Sequence, residues 1–179
     1  MDIIPGKSIG EFTLGQIASD HELFPKFNKT GENKFQWKDI SLRINENGAI
    51  TLISTKNGDY RGITTGKTFK QIIEAGNKLL IDDFEQIFYL KEPEGLCIEK
   101  EYENLNFNDL LNSKIQFLTV FDVEYSKKFG MNEDFEEINH NNISEFEKKG
   151  VEFSDFIKNS ISDFRLSQDK TKVRWWKIW

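Results

Sequence analysis

A chain of 179 residues, 37% hydrophobic and 13% aromatic, has enough patterned apolar surface for a folded globule, which excludes a disordered chain even though 30% of residues are charged. The formal net charge of −6 divides into an acidic body and a basic end, with five Lys or Arg and one Asp from Arg165 onward. An acidic body excludes nucleic acid as the expected ligand and favours a basic protein partner through electrostatic steering.

The opening Met1-Asp-Ile-Ile-Pro-Gly-Lys7 lacks the basic and apolar regions of a secretory signal, and no apolar run reaches the roughly 20 residues of a membrane span. The expectation is a cytoplasmic protein with no membrane partner. The next stretch, Ile9-Gly-Glu-Phe-Thr-Leu-Gly15, returns 51 residues later as Tyr60-Arg-Gly-Ile-Thr-Thr-Gly66. Each copy is followed by a helix-start pattern, Ser19-Asp-His-Glu22 and Thr68-Phe-Lys-Gln71, in which a hydroxyl and a side chain three positions on satisfy each other's free amides.

Pro25 cuts the first predicted helix to about two turns. Lys34–Lys38, Ile40–Ile44 and Ala49–Ile53 then alternate with the period of strands, Asn45-Glu-Asn-Gly48 supplies a turn, and Asn57-Gly58 leads into the second glycine motif. A second helix spans about Phe69–Leu80, with Phe69, Ile72, Ile73 and Leu80 on one face and Gly76 as an alternative stop. Glu85–Lys91 and Gly95–Tyr102 read as strands around the turn Glu92-Pro-Glu-Gly95. In Lys114–Tyr125, Leu118 and Val120 oppose Ile115, Phe117, Phe121, Val123 and Tyr125, which predicts a strand near the sheet centre with both faces covered to some degree. Asn132–Asn142 reads as a solvated loop, Ser144-Glu-Phe-Glu147 as a helix start, and Ser154 as the start of a helix carrying Phe156, Ile157, Ile161 and Phe164. The chain closes on Lys172–Trp179, an alternating terminal strand.

These readings add up to an α+β fold: two tandem helix-plus-antiparallel-sheet repeats, about 4–57 and 58–125, with a C-terminal helical appendage and terminal strand over 126–179. Both glycine motifs with their capped helices resemble the tandem-repeat proteins of the β-lactamase-inhibitor-protein-like architecture. The opening Pro5-Gly-Lys-Ser-Ile-Gly10 is similar to small bacterial immunity proteins found beside secreted toxins. The resemblance covers roughly residues 4–125, implies a non-enzymatic inhibitor, and departs from the secreted inhibitors in lacking their disulfides.

Motifs for chemistry are few. His21 and His140 have no metal-ligand spacing, and His21 is expected at the surface of a helix start. Cys97, the lone cysteine, sits between Leu96 and Ile98 as a small buried hydrophobe. Gly62-Ile-Thr-Thr-Gly66-Lys-Thr68 is one residue short of a phosphate-binding loop. No cofactor, metal or catalytic residue is therefore expected.

Acids cluster between Asp82 and Asp109, nine against two lysines, and the corresponding part of the first half is far less acidic. The expected partner-binding residues are Asp82, Asp83, Glu85, Glu92, Glu94, Glu99, Glu101 and Glu103, with Tyr89 and Tyr102 as aromatic anchors. The expected function is a cytoplasmic inhibitor or immunity protein that blocks a basic secreted toxin, plausibly a nuclease, by acidic complementarity. The alternatives are a protein-binding or structural module without a toxin partner, and a hydrolase whose carboxylate pair the sequence does not locate.

Overall fold

In the computed structural model the described residues are 1–82, 87–100, 107–124 and 135–148. Their framework is one nine-stranded antiparallel sheet. It is built from β4 (Asn28–Gly31), β5 (Lys34–Trp37), β6 (Ile40–Ile44), β7 (Ile50–Thr55), β10 (Leu79–Asp82), β11 (Ile87–Leu90), β12 (Leu96–Glu99), β13 (Phe117–Phe121) and β14 (Glu136–Ile138). The spatial order is β14-β10-β11-β12-β13-β7-β6-β5-β4, so β13 stands at the centre, where its alternation placed it. Short meanders sit beside this sheet: β1 (Ile3–Ile4), β2 (Ser8–Ile9) and β3 (Phe12–Thr13), and the hairpin of β8 (Asp59–Tyr60) and β9 (Ile63–Thr64).

This architecture overturns the expected pair of helix-plus-sheet repeats. The chain is mainly β, and α-helix among the described residues is confined to α1 (Phe69–Glu74), α2 (Phe107–Asn112) and short helical turns such as 143–148. Residues 1–68 contain no α-helix. Ser19 caps nothing; it falls inside a 3₁₀ turn, Ala18–Asp20, whose N-cap Ile17 makes no side-chain bond, and Pro25 opens a second such turn, Phe24–Lys26. Nor do two separate sheets exist, because β7 and β13 zip together through Leu118↔Thr55, Thr119↔Ser54, Val120↔Ile53 and Phe121↔Leu52.

What does recur at the 51-residue offset is a clasp. In each copy a two-residue hairpin turn is followed by a glycine with positive φ, Gly15 (+82°) and Gly66 (+91°). The Gly15 amide donates to Ile50 O and the Ile50 amide returns to Gln16 O, both at 2.8 Å. Gly66 and Ile115, with Lys67, repeat the exchange at 2.8 Å each. A side chain at either glycine would be strained by the backbone alone.

Other boundaries also move. At α1, Thr68 Oγ1 accepts the Gln71 amide (3.2 Å) and Gln71 Oε1 accepts the Thr68 amide (2.9 Å), the reciprocal cap the sequence predicted. The helix then stops at Gly76 (φ +94°), so Leu80, read as a helical residue, belongs to β10. Asn28–Gly31, unassigned in the sequence, is the opposite edge strand. The solvated loop expected over Asn132–Asn142 contains β14, which pairs Leu79↔Ile138 and Leu80↔Glu137. The helical turns at 143–148 start on Asn142 rather than Ser144: Asn142 O accepts the amides of Glu145 (2.9 Å) and Phe146 (3.2 Å). Glu147 pairs with Lys70 instead of capping. The predicted helix from Ser154 and the strand Lys172–Trp179 lie outside the described residues.

The core lies on one face of the sheet. Leu79, Ile81, Phe88, Leu90, Leu96, Ile98, Leu118, Val120, Ile53, Leu42 and Ile40 point into it. Over the β10–β13 side lie Phe69, Ile72 and Ile73 of α1, Leu110 and Leu111 of α2, and Ile143 and Phe146; Phe69 stacks on Phe88 at 4.2 Å. Over the β4–β7 side lie Ile9, Phe12, Ala18 and Phe27. Each of the Ile, Leu and Phe side chains contributes about 1.5–3 kcal/mol on burial, which is why the covering segments hold their places without long helices. His21 joins this layer. It is buried, stacks on Phe12 at 4.4 Å and accepts the Leu23 amide at Nδ1 (3.2 Å), contrary to the surface position expected.

Candidate functional site: the open face of the sheet

The opposite face carries no helix among the described residues, and the strand register dictates what it displays. From edge to edge, Glu137, Leu80, Tyr89, Cys97, Thr119, Ser54, Ser41, Gln36 and Asn28 stand side by side. One row over stand Phe121, Leu52, Arg43 and Lys34, and on the other side Glu99 and Phe117. Because side chains alternate strictly with period two, the residues absent from the core are the ones gathered here.

The row has three parts. On β10–β12, Tyr89 is sandwiched, stacked on Phe135 (5.0 Å, 11°) and edge-on to Phe121 (5.7 Å, 87°). In the middle, Thr119 Oγ1 donates to Ser54 Oγ (2.9 Å), and with Ser41 these small hydroxyls form a low polar floor. On β5 and β6 the row turns cationic at Arg43 and Lys34. Leu52, Leu80, Phe117, Phe121 and Phe135 are half-buried, while Tyr89, Cys97 and Thr119 between them are buried. A cavity of about 340 Å³ opens beneath the β11–β12 turn, with Leu80, Tyr89, Phe121 and Val123 as its apolar walls and Lys91, Glu92 and Glu94 around it.

Electrostatics follow the same geography. Lys91 Nζ donates to Glu137 Oε2 across β10, and Asn139 donates to the same carboxylate at 3.0 Å. The bond to Glu137 raises the Lys91 pKa, and the bond from Lys91, with help from Asn139, lowers that of Glu137. Burial, then the neighbouring Glu99 carboxylate, pushes the Cys97 thiol well above its ordinary range, so it stays a protonated, inert group whose S–H reaches Glu99 Oε1 at 3.6 Å. Away from this face, Lys67 Nζ donates to Gly62 O (2.9 Å), tying the lysine of the near-phosphate-loop motif into its own turn.

The expected partner-binding residues separate into groups. Asp82 and Glu99 belong to the open face by alternation, and Glu92 and Glu94 are exposed in the turn beside its cavity. Tyr89 is only 4% exposed, so it serves as a packed support and not as the free anchor foreseen. Asp83, Glu85, Glu101, Tyr102 and Glu103 lie outside the described residues. Leu52, Phe117, Phe121, Phe135 and the Arg43–Lys34 pair were missed. The signal was available in the period-two pattern at 34/36, 41/43, 52/54 and 117/119/121, once the other phase of each strand is taken as core.

Among the described residues no group of three His, Cys, Asp or Glu is placed to hold a metal, and no helix is long and apolar enough to cross a membrane. No family model, curated protein or solved structure matches the chain.

Proposed function

We propose that this chain is a non-enzymatic binding protein, a cytoplasmic inhibitor or immunity protein that occludes a basic protein partner with the open face of its sheet. The observation that carries the reading is the half-buried aromatic and aliphatic set Leu52, Leu80, Phe117, Phe121 and Phe135, laid on a rigid sheet and bordered by the exposed acids Glu92 and Glu94. From β10 to β6 this face is about 25 Å wide at the usual strand spacing of about 4.8 Å, the scale on which specific protein interfaces are built. Apolar residues give such a face its affinity, and the acids steer a cationic partner toward it. A nuclease toxin fits that chemistry, since a phosphate-binding surface is basic.

The test is co-expression with a toxin encoded beside this chain. Growth should be restored by the parent chain and lost with Phe121→Asp, which leaves the core face untouched. A toxin that kills equally well in the presence of the folded parent chain would overturn the immunity reading.

A further inference from the structure

Lys34 and Arg43 are directly opposed on β5 and β6, on the open face and at the end away from Glu92, Glu94 and Glu99. Both are exposed, and among the described residues neither side chain has an ion-pair or hydrogen-bond partner. Like charges facing each other across a strand pair destabilise it. A fold gains nothing from this arrangement by itself.

The two cations line a cavity of about 480 Å³ whose remaining wall comes from the β4–β5 and β6–β7 turns, with Glu32, Asn33 and Glu46, and from Thr51 of β7. The turns are rigid. Asn45 Oδ1 accepts the amides of Asn47 and Ala49 (3.0 Å each), and Asn33 holds a left-handed φ of +56° while its carbonyl accepts the Ile44 amide (3.0 Å). Thr51, the extra residue at the β6–β7 register shift, turns its hydroxyl back to Arg43 O (3.2 Å), fixing the backbone from which the guanidinium projects.

We infer that the Lys34–Arg43 pair and its cavity form an anion-binding site for a single carboxylate or phosphate group. A guanidinium presents a planar fork that takes two oxygens of such a group, and the ammonium beside it adds a point charge without competing for the same geometry. Glu32 and Glu46 limit the occupant. Their carboxylates would oppose an extended polyanion such as a nucleic-acid strand while leaving room for one anionic group between the cations. The source is either an acidic side chain of a protein partner or a free phosphate. The site stands whether or not the partner is a toxin.

The test is NMR of the ¹⁵N-labelled full chain at fixed ionic strength, titrated separately with sodium phosphate and with a short glutamate-rich peptide, and with sodium chloride as reference. Saturable shifts confined to residues 32–34 and 43–51, weakened at least tenfold in Lys34→Gln/Arg43→Gln, are expected for phosphate, the peptide or both. Phosphate alone assigns the free anion, and the peptide alone assigns a partner's carboxylate. The same double variant should melt at or above the parent temperature in phosphate-free buffer, because a repulsion has been removed. Shifts no different from those with chloride, or shifts that survive the double substitution, would overturn the site. A double variant that melts lower than the parent would overturn it as well, since the pair would then be holding the fold together.

Discussion

At Gly95 the chain passes so close to Gly6 that a Cβ would lie 2.3 Å from the Gly6 nitrogen and 2.4 Å from its Cα. Both obstacles are backbone, and Gly6 N–H donates to Gly95 O at 2.9 Å, so neither partner can step aside. Gly66 has a comparable φ of +91° but nothing within 4 Å of its would-be Cβ. The pair separates conformational strain from collision. Gly66→Ala should cost about 1 kcal/mol, the usual penalty for forcing a left-handed backbone, and Gly95→Ala about 2–4 kcal/mol, the range of severe local disruptions. Urea unfolding of both variants checks this, and equal losses would mean that the close approach carries no energetic weight. Thr68→Ala should cost about 1 kcal/mol through the lost cap, whereas Ser19→Ala should change unfolding by less than about 0.5 kcal/mol. Two identical-looking patterns thus have different standing.

That contrast explains which elements were legible. A capping box is local, so Thr68-Phe-Lys-Gln71 could be read directly. The same spacing at Ser19-Asp-His-Glu22 failed because Pro25 forbids propagation and because His21 gains more by stacking on Phe12 than by facing water. Strand β14 was illegible for another reason: three residues, two of them glutamates, give no alternation to detect, and only Ile138 enters the core. Its place depends on Lys91, distant in sequence, which pairs with Glu137. Glu137 has a lowered pKa in the fold, so its contribution is present above the ordinary glutamate range and is lost as pH falls through the lowered value. Lys91 has a raised pKa, so its contribution is present at and below neutrality and is lost only as pH rises through the raised value. Pairing of β14 on β10 should therefore be firmest between the two limits. Hydrogen exchange at Leu79 and Ile138, which face each other across β10 and β14, corrected for intrinsic rates, should accelerate at acid pH before the central strands do, and Lys91→Gln should reduce that pH dependence. Simultaneous loosening of β14 and β13 would show that the pair does not hold the edge.

For the whole molecule, the acids of the candidate face were visible as a composition shift, but the face itself was not, because it depends on which phase of each strand turns inward. That phase is set by Leu118, Val120 and Ile53 packing at the sheet's centre, between segments the sequence offers no reason to pair. Phe121→Asp should leave the far-ultraviolet circular dichroism spectrum intact while weakening capture of a bound partner at least tenfold, a loss of about 1.4 kcal/mol or more, as expected for a half-buried aromatic at the centre of an interface. A partner that binds this variant unchanged would place the interface on another surface. In the same experiment Glu92→Lys/Glu94→Lys should slow association at low salt more than it speeds dissociation.

The bond between Thr119 and Ser54 joins residues 65 positions apart, and it marks the seam on which the whole sheet closes. On either side of that seam the strands meet their sequence neighbours through short turns, as in β5–β6–β7 and β10–β11–β12, so those pieces can form early and cheaply. The seam cannot, because its loop must be closed before any contact repays the entropy. Refolding should consequently be governed by the meeting of β7 with β13, in the ~millisecond-to-second range of proteins dominated by distant pairings. Until they meet, each half presents an unpaired central strand, β7 or β13, to the solution. During synthesis the first half waits in that state with Ile50–Thr55 as an open edge, which makes this strand the molecule's point of greatest exposure to misassociation.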